Sequence, residues 1–223
     1  MTGISSIGLS PKKADIVRAF SNVYADNVWQ RKDTSGPGSS VESTGSYRTF
    51  LQQILKRHHI RRVIDVGCGL WEHLGNVNWE NIEYLGVDPV PTVIERNCRL
   101  SLPPNIRFQC GVVEDVSNLA SYDLAIVKDV LQHLPNCTIN ELLKKLRVVK
   151  YWLITNDVTT EANTDCSLGG FRKINMEMPP FDLRSIDKID FPSIPFVKRT
   201  LLIQNDVGVV GPILSKLKSL VTA

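Results

Sequence analysis

The sequence has little of what marks a secreted, membrane-embedded or strongly nucleic-acid-binding protein. Its 223 residues include only five cysteines, Cys68, Cys98, Cys110, Cys137 and Cys166, and none forms a Cys-x-x-Cys pair. An odd number at wide spacing gives neither a disulfide framework nor a zinc knuckle, and points to a reducing, cytoplasmic compartment. No apolar run approaches the roughly 20 residues needed to span a bilayer, so no membrane insertion is expected. Met1 to Lys13 carries Ser, Gly and Pro where a signal peptide would have its apolar core. An excess of one charge is also missing. With 26 basic and 23 acidic residues the net charge is +3, too even for an electrostatic nucleic-acid footprint. Repeats and low-complexity tracts are absent, and ordinary glycine, proline and apolar content excludes disorder, collagen and coiled coil.

What is present suits one domain with elaborations. A chain of this length can bury about 70% of its unfolded surface and needs no staple to fold. Ile16, Val17, Phe20, Val23 and Tyr24 recur at helical spacing, and Ser35-Gly36-Pro37-Gly38-Ser39-Ser40 reads as a loop. Tyr47, Leu51, Ile54 and Leu55 then mark one face of a second amphipathic helix, ending near the basic cluster Lys56 to His59, which reads as a solvated terminus. From residue 62 the period changes. Val63–Val66, Tyr84–Val87, Ile106–Cys110, Leu124–Val127 and Tyr151–Thr155 are short apolar runs, separated by helix-compatible stretches such as Thr92–Cys98 and Ile139–Val148. Buried strands alternating with helices predict an α/β, doubly wound, mostly parallel sheet covered on both faces. The last third is broken by Pro179, Pro180, Pro192 and Pro195; Arg199–Gln204 is its best strand, and Ile213–Leu220 a closing helix.

In such a sheet ligands sit beyond the carboxyl ends of the strands. The first run ends in Asp65-Val66-Gly67-Cys68-Gly69 and the second in Asp88. A glycine turn lets backbone approach a ligand, and an acid ending the next strand can accept both hydroxyls of a ribose. A dinucleotide site would add a third glycine, but Trp71 and Glu72 stand two and three places beyond Gly69. Asp65 would repel a phosphate and suit an ammonium group. S-adenosylmethionine has a ribose, an ammonium, a sulfonium and no phosphate.

Asp65–Gly69, Gly86-Val87-Asp88 and Asp123–Leu134, in this order, resemble motifs of the class I S-adenosylmethionine-dependent methyltransferases. The resemblance covers residues 40 to 160. Gly169–Arg172 through Pro179–Leu183, with the Ser35–Ser39 lead-in, is similar to a small stand-alone subgroup associated with carbohydrate or small-molecule modification. The resemblance implies a Rossmann-like, seven-stranded fold with the last strand antiparallel, and S-adenosylhomocysteine as product. It implies that Gly67, Cys68 and Gly69 run along the methionine part, Asp65 faces the ammonium, and Asp88, followed by Pro89, takes the ribose hydroxyls. Where many members have an acid after the glycine matching Gly111, this chain has Val112; Val113, Glu114 and Asp115 are the substitutes beside adenine. Lys128 lies in the third motif. Arg48 either reaches the cofactor carboxylate or faces solvent, and Trp71 adds an aromatic wall.

Transfer to a neutral hydroxyl needs a base. Asp129 and His133 are four apart and would share a face if Asp129 opened a helical turn; the alternative is that His133 only packs under the loop. Arg172, after a Gly-Gly turn, is expected to line the acceptor site, with Trp29 a lid residue or a packing anchor. Asp157 reads as a loop cap able to reach the pocket. His58, His59 and His73 have no metal-ligand spacing and read as surface or local hydrogen-bonding groups; no metal is expected. The expected division is a helical lead-in, 1–57, covering the cofactor mouth, and a core, 58–223, with acceptor-recognition loops in 157–195. The expected reaction is O-methylation of a sugar or glycan hydroxyl. The alternatives are a small metabolite or natural product, methylated on oxygen or nitrogen, or a catalytically silent cofactor-binding partner. A nucleic-acid substrate is disfavoured, because no Asn-Pro-Pro-aromatic or Asp-Pro-Pro-aromatic tetrapeptide follows the fourth run.

Overall fold

The computed structural model describes residues 12–26, 41, 43–71, 73–193 and 195–206. Trp29, Glu72, the 35–40 loop and the closing helix expected over 213–220 lie outside the described residues. Each of the five apolar runs is a strand: β1 Arg62–Val66, β2 Glu83–Asp88, β3 Ile106–Cys110, β4 Leu124–Lys128 and β5 Tyr151–Asp157. The last third supplies a hairpin, β6 Asp187–Ser193 and β7 Phe196–Gln204. Arg199–Gln204 falls inside β7, and β6 is the second strand that the sequence left unplaced. The seven strands form one sheet in the order β3-β2-β1-β4-β5-β7-β6. β7 is antiparallel to both its neighbours, β5 and β6. Neighbours β1 and β4 are the point at which the order reverses, where open α/β sheets bind ligands.

Among the described residues four helices flank this sheet: α1 Lys13–Ala25, α2 Gly45–Arg57, α3 Pro91–Cys98 and α4 Asn136–Leu146. The stripe expected on α2 is its buried face: Tyr47, Phe50, Leu51, Ile54 and Leu55 pack on Val63, Leu124, Ile126, Leu153 and Leu202. The basic end of α2 is not free, since Arg57 pairs with Asp187 of β6 at 2.7 Å. α3 starts on Pro91, whose missing N–H would have had no helical partner. Among the described residues, three connections lack the α-helix that a doubly wound fold leads one to expect. After β1 there is a 3-10 turn, Leu74–Asn76; between β3 and β4 there are two, Val113–Asp115 and Leu119–Ser121; and residues 158–186 hold neither helix nor strand. Trp71 explains the first gap in part, because its backbone is left-handed (φ +57°) and breaks the helical path.

The two faces of the sheet differ in one respect that positions the site. Along a strand, alternate residues share a face. The files facing α2 begin apolar and end polar at the carboxyl edge: Val63 then Asp65; Tyr84, Gly86, Asp88; Leu124, Ile126, Lys128; Tyr151, Leu153, Thr155, Asp157. Antiparallel β7 follows the same rule read backwards, Leu202, Thr200, Lys198. The opposite files, Ile64 and Val66, Leu85 and Val87, Ala125 and Val127, stay apolar to the edge, and that of β5, Trp152 and Ile154, ends in the uncharged Asn156, which accepts from the Gln132 N–H. They pack with Ile139, Leu142, Leu143 and Leu146 of α4.

Candidate active site

The carboxyl edge opens into a cleft of about 1190 Å³, its solvent-open mouth included. Its floor is the turn after β1. Gly67 (φ +74°) and Gly69 (φ +54°) are left-handed, and the Gly67 and Cys68 N–H groups donate to the Val87 carbonyl at 2.8 and 3.1 Å. A Cβ on Gly67 would lie 2.5 Å from Cγ2 of Val130, so glycine is required both by conformation and by the approach of the loop after β4.

Two carboxyls face this turn with different supports. Asp88 accepts from the Gly69 N–H at 3.1 Å through one oxygen and from the Val90 N–H at 3.0 Å through the other. Burial nonetheless raises its pKa to about 6, against those two hydrogen bonds. Asp65 accepts a bond of 2.6 Å from the Tyr84 hydroxyl, and burial raises it to about 7. Asp65 lines the cleft and forms no ion pair among the described residues, the nearby Lys128 charge only partly offsetting its burial, so a cation arriving there is favoured.

Beside it lies a buried ionic network. Asp129 receives Lys128 Nζ at 2.5 Å and Lys198 Nζ at 2.6 Å, and Lys198 also donates to Asp157 at 3.0 Å. Burial alone would raise the Asp129 carboxyl, but the two ammonium groups outweigh it and bring it to about 2. Lys198 shows the converse: burial would lower it, and the two carboxylates hold it above the ordinary lysine value. Asp129 does not open a helical turn. Its backbone is left-handed (φ +58°), and a 3-10 turn, Leu131–His133, follows. The helical spacing that paired it with His133 is therefore not the geometry present, and both lysines engage its charge.

His133 lines the cleft. Its Nδ1 is 2.6 Å from the Gly170 carbonyl, which can only accept, so Nδ1 carries the proton and Nε2 is the acceptor nitrogen, with Gln132 Nε2 3.5 Å from it. Burial lowers its pKa below the usual histidine value, with the Gly170 bond acting in the other direction. A neutral imidazole with Nε2 as acceptor follows.

Gly67, Cys68, Gly69, Pro89, Val113, Glu114 and Lys128 also border the cleft, as expected. Four expected residues do not. Asp115 accepts from the Val112 N–H at 2.9 Å and pairs with Lys13 of α1 at 2.7 Å, tying the lead-in to the loop after β3. Arg48 donates to the Val41 carbonyl at 2.6 Å and to Thr44 Oγ1 at 2.7 Å. Arg172 is buried and donates to the Leu134 carbonyl at 2.8 Å and Asn136 Oδ1 at 2.9 Å, so it fastens its loop instead of lining the acceptor site. Trp71 is no pocket wall: it is in the core under α2, edge-on to Tyr84 and Phe108, because its left-handed backbone turns it inward.

Sequence reasoning missed two contributors. His73, read as a surface or local hydrogen-bonding group, is buried, lines the cleft, and has an Nδ1 without a hydrogen-bond partner. Lys198 was passed over, although a lysine on the file Lys198, Thr200, Leu202 of an apolar strand was a signal. Ile16, Phe20 and Tyr24 of α1, within the expected lead-in, supply the cleft's apolar side. Among the described residues no group of three His, Cys, Asp or Glu side chains is placed to hold a metal ion. No described helix is long and apolar enough to cross a membrane.

No family model matches the chain, and no curated protein matches it. Solved structures do. One is the 1,6-didemethyltoxoflavin-N1-methyltransferase of Burkholderia thailandensis with bound 1,6-didemethyltoxoflavin and S-adenosylhomocysteine (TM-score 0.62, 14% identity, covering 91% of this chain and 94% of that one). Another is the magnesium protoporphyrin IX methyltransferase of Synechocystis PCC 6803 with bound S-adenosylhomocysteine (TM-score 0.59, 13% identity, 86% and 99%). A third is the methyltransferase domain of bacterial CtHen1-C (TM-score 0.55, 19% identity, 71% and 97%). These likenesses show that the chain has the Rossmann-like fold of class I methyltransferases.

Proposed function

We propose that the chain is an S-adenosylmethionine-dependent methyltransferase acting on a hydroxyl of a small acceptor. The observation that carries this reading is the buried Asp65 carboxyl, in no ion pair among the described residues, beside the Gly67–Gly69 turn and one strand from Asp88. These residues fit the cofactor's chemistry. Asp65 suits an ammonium, and Asp88 keeps lone pairs for ribose hydroxyls after accepting two backbone bonds. His73, with its unpartnered Nδ1, takes the place expected of Arg48 toward the cofactor carboxylate. Val112, Val113 and Glu114 border the adenine side, and α1 with Ile16, Phe20 and Tyr24 acts as the cover expected of the lead-in.

Bound there, S-adenosylmethionine supplies a methyl group on a cationic sulfur, open to in-line displacement. The chain's part is to position, to exclude water and to take a proton. His133 Nε2 accepts the proton of the acceptor hydroxyl, while the Gly170 carbonyl holds the ring in the required tautomer. Asp129 fixes the surrounding charge through Lys128 and Lys198. The subgroup resemblance makes the acceptor a sugar or glycan hydroxyl, with a small metabolite as the alternative. Calorimetry with S-adenosylhomocysteine and with NAD tests the reading. Saturable binding of the first alone is expected; binding of NAD alone, or of neither, would overturn it.

A further inference from the structure

The large apolar side chains that stand exposed among the described residues are aliphatic, except one. Phe171 is 49% exposed. An exposed aromatic is informative because burying it is normally favourable. Here the backbone forbids burial. Gly169 N–H donates to the His133 carbonyl at 2.9 Å, and Arg172 N–H to the Gln132 carbonyl at 3.1 Å. Between them the Gly170 carbonyl holds His133 Nδ1. Both flanks of Phe171 are thus fastened to the turn that carries the base, and its ring is left outside.

That ring is not isolated. It stacks on Phe196, the first residue of β7, with centres 5.7 Å apart and planes at 28°. Its centre is 5.8 Å from that of the His133 imidazole, and Lys173 Nζ stands 5.9 Å from the centre of Phe196. Val197, 46% exposed, follows on the same strand. Of the other polar side chains nearby, Arg172 turns to the Leu134 carbonyl and Asn136, Gln132 accepts from the Asp157 N–H with its Nε2 3.5 Å from His133 Nε2, and Lys198 turns to two carboxylates; Lys173 stays exposed.

We infer that Phe171 and Phe196 form the acceptor platform, and that the acceptor is a planar aromatic ring bearing the hydroxyl to be methylated. This rests on the methyltransferase reading and takes its alternative acceptor, a small metabolite, in place of the sugar. A pyranose carries several hydroxyls, each needing a partner when it is desolvated, and the platform offers phenyl faces instead. A flat ring is the shape that such faces bind best. A phenolic hydroxyl, with a pKa near about 10, also gives its proton to an imidazole more readily than an alcohol does.

The test uses the protein saturated with S-adenosylhomocysteine. Binding is followed by ligand-observed NMR with 2-naphthol, 7-hydroxycoumarin and caffeic acid, and with methyl glucopyranoside and methyl mannopyranoside. Saturable binding of at least one phenol is expected, weakened fivefold or more by Phe171→Ser and restored by Phe171→Tyr, with S-adenosylhomocysteine affinity unchanged. With S-adenosylmethionine, the same substitution should raise KM for that phenol more than it lowers kcat. Absence of phenol binding, phenol binding indifferent to Phe171→Ser, or glycoside binding that depends on Phe171 would each overturn the platform. Failure to bind S-adenosylhomocysteine at all would instead overturn the methyltransferase reading beneath it.

Discussion

The two faces of the sheet end differently at the same edge. Toward α4, Val66, Val87 and Val127 end apolar files, and the file of Ile154 ends in Asn156, polar but uncharged. Toward α2, the corresponding positions are Asp65, Asp88, Lys128 and Asp157, with Lys198 completing the row from β7. Burial stabilises the first face with no further condition. On the second it desolvates charges, and each is tolerated only so far as a partner reaches it. Asp129, between two lysines, is held at about 2, whereas Asp65 and Asp88 are driven up to about 7 and about 6. One face therefore maintains the fold, and the other stores an unmet demand for a cation and for hydroxyl donors.

The largest effect should come from the base proposed beside the charged face. His133→Gln is expected to lower kcat roughly 10²–10⁴-fold, the usual range for losing a general base. Affinity for S-adenosylhomocysteine should barely move, and a variant turning over at full speed would remove His133 as base. A paired substitution then sets the two faces against each other. Lys198→Ala leaves Asp129 and Asp157 facing each other without their shared cation and should cost about 3–5 kcal/mol of stability in urea denaturation. Ile154→Ala on the apolar face opens a cavity and should cost roughly 2–5 kcal/mol. Only the first loss should shrink as the pH falls and Asp157, left without a cation while Asp129 keeps Lys128, protonates; parallel pH dependence of the two variants would erase the distinction.

The smallest effect separates the two acids by pH. A carboxyl at about 7 in the folded chain, against about 4 when unfolded, takes up a proton on folding between those values. The native state then binds more protons than the unfolded one, so the Asp65 contribution to stability falls as pH rises from about 4 to about 7. Cofactor binding should have the opposite slope, because an ammonium requires the ionised form. Affinity for S-adenosylhomocysteine should rise up to about tenfold per pH unit below 7 and level off above it. Asp65→Asn should flatten that rise; an unaltered slope would move the titrating group elsewhere.

The helical stripe of α2, the five apolar runs and the approximate ends of α3 and α4 were legible because each rests on a period of 3.6 or 2 within a few residues. Asp65, the glycine turn and Asp88 were legible for the same reason: a strand end fixes its next residue at the carboxyl edge. Arg48, Trp71, Asp115 and Arg172 were not. Their positions in the chain were right, but the side chains found local carbonyls, the core or α1, and such partners depend on how the irregular segment 158–186 and the lead-in are laid down.

By itself, then, the chain determined an alternating α/β sheet and the two acids at its edge, because strand and helix periods are local properties of the sequence. The tertiary structure decided the rest. Inserting β7 antiparallel beside β5 brought Lys198 to Asp129 and Asp157, 69 and 41 residues away. Fastening residues 169–172 to the turn after β4 set the tautomer of His133 and turned Phe171 outward. No sequence period encodes contacts at such separations; they exist only once the sheet is closed and the remaining chain has to lie across its edge.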